Sequence, residues 1–179
     1  MSRAARVSRI VVAATLAGVP CAARAQTGSH MRAGAWFSGG FAYERACYSR
    51  YSDRHCLGGP ALGLGFGRAL NATVQVGAGS TGLVSWSERD DELEVAGSLT
   101  GVVRVHPVRR AGLVLTGGLG IGSILLTPDR LGLAAEAGLG YDLSLGRRVS
   151  LAPYLALLHI ADPYRPTTYR QLGLAVTLD

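Results

Sequence analysis

The side chains able to do chemistry are few in this sequence, and they are scattered. His30, His55, His106 and His159 stand without metal-ligand spacing, which a zinc or iron site needs if imidazoles and carboxylates are to converge on one ion. The acidic run Glu88, Asp90, Asp91 and Glu92 has the charge to attract a divalent cation, yet a run of this kind reads first as a solvated loop. There is no catalytic triad, phosphate loop or nucleotide motif, so no enzyme activity, cofactor or metal is expected. One carboxylate stands apart. Glu136 lies in the middle of the otherwise uncharged stretch Leu131 to Tyr141, and a lone ionisable group in such surroundings needs a partner, because burying an isolated charge is costly.

The elements that must position these residues are alternating segments. Between Glu92 and His106 the odd positions are Leu93, Val95, Gly97, Leu99, Gly101, Val103 and Val105. The even ones include Glu94, Ala96, Ser98, Thr100 and Arg104. That is the period of a strand with two chemically different faces. A soluble strand is usually about five or six residues long, whereas a tilted strand that crosses a bilayer needs about 9 to 11, and this segment is long enough to cross. Seven more segments repeat the pattern: Ala33–Tyr43, Pro60–Ala69, Thr73–Trp86, one from Gly112, Leu131–Leu143, Val149–Ile160 and Tyr169–Leu178. In the first, Phe37, Phe41 and Tyr43 oppose Trp36, Ser38, Gly40 and Ala42; the third becomes irregular toward Leu83. Residues 111 to 127 carry no charge, so a membrane helix is the rival reading there, but five glycines and a short length argue against it. The links 44–59, 87–91, 127–130 and 161–168 are mostly longer than 70–72, 107–111 and 144–148. Long loops on one rim and short turns on the other suit a membrane barrel.

At the start of the chain, Arg3, Arg6 and Arg9 precede the apolar run Ile10 to Val19 and then Ala23-Arg24-Ala25. These are the basic, apolar and small-residue parts of a secretory signal peptide cut after Ala25. The expected organisation is a signal peptide over 1–25, a short linker over 26–32 and one barrel domain over 33–179. Pro20 fits badly with a lipoprotein cut at Cys21, so Cys21 leaves with the signal. Removal takes away four arginines and no acids, leaving 14 basic against 12 acidic residues, so the net charge falls from +6 to +2. Nothing in that balance argues for nucleic acid. Cys47 and Cys56 then remain within the longest link of an exported chain, and a disulfide between them is predicted.

Closing eight such strands removes the unpaired edges a flat sheet would keep. It turns the apolar face to lipid and the polar or glycine face to a lumen filled by side chains. The expected fold class is therefore all-β, an eight-stranded antiparallel up-and-down transmembrane barrel. A soluble barrel with the apolar face inward, as in lipocalins, is the rival. It would expose the face holding Gly63, Gly65 and Gly67, which has few charges to keep it in solution.

The segments PALGLGFGRA (60–69), LGLAAEAGLGYDL (131–143) and QLGLAVTL (171–178) resemble the small eight-stranded outer-membrane barrels of Gram-negative bacteria, the OmpX type and the membrane domain of OmpA. The resemblance implies an outer-membrane monomer with periplasmic termini and longer loops extracellular. Its surroundings would be outer-membrane lipid and lipopolysaccharide, and the outer-membrane assembly machinery its partner during insertion. Such proteins commonly end in an aromatic residue, whereas this sequence ends Leu178-Asp179. One lipid A deacylase family on this fold carries a Ser two residues after a strand His; here His159 is followed by Ile160 and Ala161. The expected function is thus non-enzymatic, a closed barrel with a structural or surface-interaction role; the alternative is a small pore or a barrel handling lipid or lipopolysaccharide.

Within the lumen, Glu136, Tyr154, Arg104 and Gln171 are expected to form a polar network. Pairing Leu143 with Val149 places Glu136 opposite Ala156 and diagonal to Tyr154, with Gly120 or Gly122 on its other side. Glu94, nearer a strand end, is expected to meet water. The link 44–59 carries Arg45, Tyr48, Arg50, Tyr51 and Arg54, a candidate surface for lipopolysaccharide phosphates or a partner. Trp36, Phe41, Tyr43, Trp86, Tyr141 and Tyr169 are expected in interfacial belts.

Overall fold

The computed structural model describes residues 34–50, 53–87, 93–108, 111–124, 131–146, 148–163 and 165–179, without the side chains of 48–50, 53–55 and 86–87. The expected signal peptide and linker lie outside these residues. The strands are β1 (Ala35–Arg50), β2 (Asp53–Ala69), β3 (Val74–Ser87), β4 (Leu93–Val105), β5 (Leu113–Ile124), β6 (Leu131–Tyr141), β7 (Leu143–Ser144), β8 (Val149–Ala161) and β9 (Thr167–Leu178). β7 continues β6 beyond Asp142, and both pair with β8, so the wall has eight staves. Each stave is antiparallel to its neighbours, and the β1–β9 and β6–β8 ladders close the ring.

Alternation sets the two faces. Leu62, Phe66, Leu99, Leu133 and Leu155 point outward, and Leu119 is 75% exposed. Trp36, Ser38, Ala96, Ser98, Thr100 and Val102 point inward and are buried. The lipocalin-like alternative is thereby excluded, since its apolar face would be the inner one. No helix among the described residues is long and apolar enough to cross a membrane, a limit that does not concern strands. Two of the short turns are tied locally. Asn71 Oδ1 accepts hydrogen bonds from the amides of Thr73 and Val74 at 2.8 and 2.9 Å, an Asx turn that reverses the chain into β3. Gly112 holds φ +65°, where a side chain is strained.

Several sequence expectations need correction. The link 44–59 is strand for almost its whole length: the β1–β2 ladder runs on through Cys47–Cys56 to Arg50–Asp53. Beyond an apolar band the outer face no longer has to be apolar, so Arg45 and Cys47 can follow Tyr43 outward without ending the strand. The hairpin after β7 closes tighter than expected. Leu145 N donates to Val149 O at 2.9 Å and Leu143 faces Leu151, so the two strands stay joined as far as Leu145 and Val149. The two-residue shift puts Leu158, not Ala156, opposite Glu136, and brings Tyr154 opposite Gly140. On the β5 side Glu136 faces Gly118 rather than Gly120 or Gly122. Among the aromatics, Phe41, Tyr43 and Tyr141 lie on the outer wall, but Trp36 and Tyr169 are buried inside at 3% and 1% exposure. The Trp86 side chain lies outside the described residues.

Candidate functional site

The lumen has two chemically distinct halves. Toward the turns it is polar. Trp36 from β1 lies across the interior, and the Arg104 guanidinium from β4 stacks over its ring at 4.4 Å from the centroid, a cation–π contact strengthened by low local dielectric. Arg104 Nη2 also donates to Ser38 Oγ at 3.4 Å. Glycines make the seat for the indole: a Cβ at Gly67 or at Gly77 would come within 2.8 Å of the Trp36 ring. At the turn rim His106 Nε2 lies 3.3 Å from Asp142 Oδ2, each side chain 8% exposed.

Glu136 points into the same half. Thr100 lies beside its carboxylate, its hydroxyl donating to Gly79 O at 3.4 Å, and Arg104 is the cation whose field reaches it. Sequence reasoning named Arg104 but not Thr100, because only the stagger of β4 against β6 brings Thr100 near. Tyr154 lies within the field of Glu136 and of Glu44. Trp36, Arg104, Thr116, Glu136, Tyr154 and Gln171 all line one cavity of about 140 Å³, room for a few waters. Gln171, however, pairs across the β1–β9 ladder with Glu44, not with Glu136. It approaches the Glu44 carboxylate without meeting hydrogen-bonding geometry. Glu44 is 1% exposed, and sequence reasoning placed it in a loop; its inward parity with Ala42 was the available signal.

Toward the loops the lumen is filled and mostly apolar, with the Glu44 carboxylate buried between Ala42 and Ala46. Ala42, Ala61, Leu83, Ala96, Ile124, Ala134, Leu158, Ile160 and Tyr169 form one buried cluster. The Leu83 that broke the expected alternation is part of this plug. Above it the β8–β9 link folds over the opening: Arg165 N donates to Asp162 Oδ1 at 2.9 Å, and Arg165 Nη2 donates to Glu94 Oε2 on β4. Glu94 is therefore paired and mostly buried, not hydrated as expected. The turn-side half has room for water, and the loop-side half is packed with side chains. Among the described residues no group of three His, Cys, Asp or Glu side chains converges as a metal site would.

Outside the lumen, Cys47 and Cys56 are joined, with Cα atoms 4.1 Å apart, as a directly opposed pair in an antiparallel ladder allows. Of the candidate surface residues, Arg45 is exposed on the outer face. The side chains of Tyr48, Arg50, Tyr51 and Arg54 lie outside the described residues.

No protein-family model matches the chain, and no curated protein sequence does. Solved structures do. Neisserial surface protein A superposes with a TM-score of 0.55 at 11% identity, covering 81% of this chain and 98% of that one. Ail, the attachment invasion locus protein of Yersinia pestis, gives 0.54 at 16% identity, covering 83% of this chain and all of that one. At these identities the likeness is one of fold: this chain has the architecture of the small eight-stranded surface and outer-membrane barrels.

Proposed function

We propose that the chain is exported on residues 1–25, cut, and inserted in a Gram-negative outer membrane as a non-enzymatic monomeric barrel that passes no solute. Its termini face the periplasm, and its β1–β2 hairpin, stapled by Cys47–Cys56, carries Arg45, Tyr48, Arg50, Tyr51 and Arg54 outside the cell as a surface for interaction. Outer-membrane lipid is its solvent, and the assembly machinery delivers it there. The observation that carries this reading is the coexistence of a continuous apolar outer wall with an apolar plug across the loop half of the lumen. An outer wall of that composition is stable only against lipid, and a plug of that packing supports a lumen closed to water. Outer-membrane fractionation combined with gel migration tests it: the chain is expected with the outer membrane, migrating differently before and after heating in detergent. Recovery as a soluble periplasmic monomer contradicts it.

A further inference from the structure

Arg45 on β1 and Arg170 on β9 face each other directly across the ladder, and both are exposed on the outer wall. Like charges directly opposite on a sheet repel. The described outward neighbours on the same strands, Tyr43 and Cys47 on β1 and Thr168 and Leu172 on β9, bring no acid to them. Neither arginine has an acidic partner among the described residues. Leu157 flanks Arg170 on β8, and the next outward residue, His159, is exposed and holds Thr168 Oγ1 through Nδ1 at 2.9 Å.

Position matters as much as charge. Below Arg170 the outward residues of β9 are Leu172, Leu174, Val176 and Leu178, all exposed. Eight residues of tilted strand rise about 20 Å along a barrel axis, set against an apolar band about 25 Å tall. The two guanidiniums therefore sit at the loop-side edge of the apolar wall, beside the Tyr43 ring, at the depth of lipid headgroups.

We infer that Arg45 and Arg170 together bind a phosphate-bearing headgroup of a lipid in the leaflet on the loop side. Each guanidinium offers a planar fork matched to phosphate oxygens, and a dianionic headgroup between them converts the repulsion into two attractive contacts. The lipid is preferred over free phosphate because the apolar residues beneath the pair accommodate acyl chains. This inference rests on the membrane-barrel reading above.

The test uses the full mature chain folded in detergent, with native mass spectrometry of retained diphosphorylated lipid A and of the same lipid with its phosphates removed. The wild type is expected to retain the diphosphorylated form alone. Arg45→Gln or Arg170→Gln should each weaken retention about tenfold, as loss of a charge-assisted contact does, and the double variant should lose it. Arg148→Gln, at the opposite rim, should change nothing. Equal retention by the double variant, equal retention of the dephosphorylated lipid, or an equal loss in Arg148→Gln overturns the site. So does a protein dimer that depends on the two arginines. A heat-shifted band in the double variant shows that it folds; absence of that band in the wild type fails the barrel reading itself, a result distinct from failure of the site.

Discussion

Glu136 faces Gly118 directly across the β5–β6 ladder, and the carboxylate side chain occupies the space a Cβ at 118 would take. That Cβ would lie 2.8 Å from Glu136 Cγ and 2.9 Å from Gly101 O. Gly118→Ala is therefore expected to destabilise the barrel by about 1–3 kcal/mol, the range for overpacking a filled interior. Urea unfolding in lipid vesicles measures it. In a Glu136→Ala background part of that cost should disappear, because the Glu136 contact is gone and only the Gly101 carbonyl remains. An equal cost in both backgrounds would show that the pair is not coupled.

Leu99 is 55% exposed on the outer wall and Ser98, next to it, is buried inside. Leu99→Arg should cost about 2 to 4 kcal/mol if the residue sits at the bilayer midplane, read by unfolding in vesicles. A silent Leu99→Arg, together with unfolding by Ser98→Arg, would contradict the assignment of faces, since a charge is tolerated on a polar lumen face and not against lipid.

The Cys47–Cys56 bridge joins two strands already paired on both sides of it. Its loss should therefore loosen the hairpin above the barrel more than the barrel. A loop of about ten residues is constrained by at most about 3 kcal/mol. Alkylation without reductant followed by mass spectrometry should find no free thiol in the exported protein. Removing both cysteines should speed proteolysis near residues 51–52 while leaving the heat-shifted band intact. Two free thiols, or loss of that band, would contradict this.

The faces of the wall were legible in the sequence because an apolar outer surface and a small or polar inner one alternate over most of each strand, as along Leu93 to Val105. Legibility failed where that contrast disappears. At the loop end Leu83, Ile124, Leu158 and Ile160 make the inner face apolar too, so the period of two is erased and Leu83 reads as irregular. Beyond Tyr43 the outer face turns polar at Arg45, and charge made a continuing strand look like a loop. Register was the other failure. Parity placed Glu136 inside, but the hydrogen bond of Leu145 to Val149, which shortens the turn, sets Leu158 opposite it on β8, and the separate β5–β6 register sets Gly118 on its other side. Arg104 could be named as an inner cation, whereas its seat on Trp36 depends on the stagger around the ring, which no single strand encodes.

The central claim is that the lumen is closed by its loop-side plug, and planar-bilayer recording of the mature chain tests it most directly. The wild type should insert without steady conductance, and Glu136→Gln should also be silent while unfolding more easily, because it loses the interaction with Arg104. Steady, ion-selective channels in the wild type that vanish in Glu136→Gln would contradict the closed lumen and make Glu136 part of a conducting path.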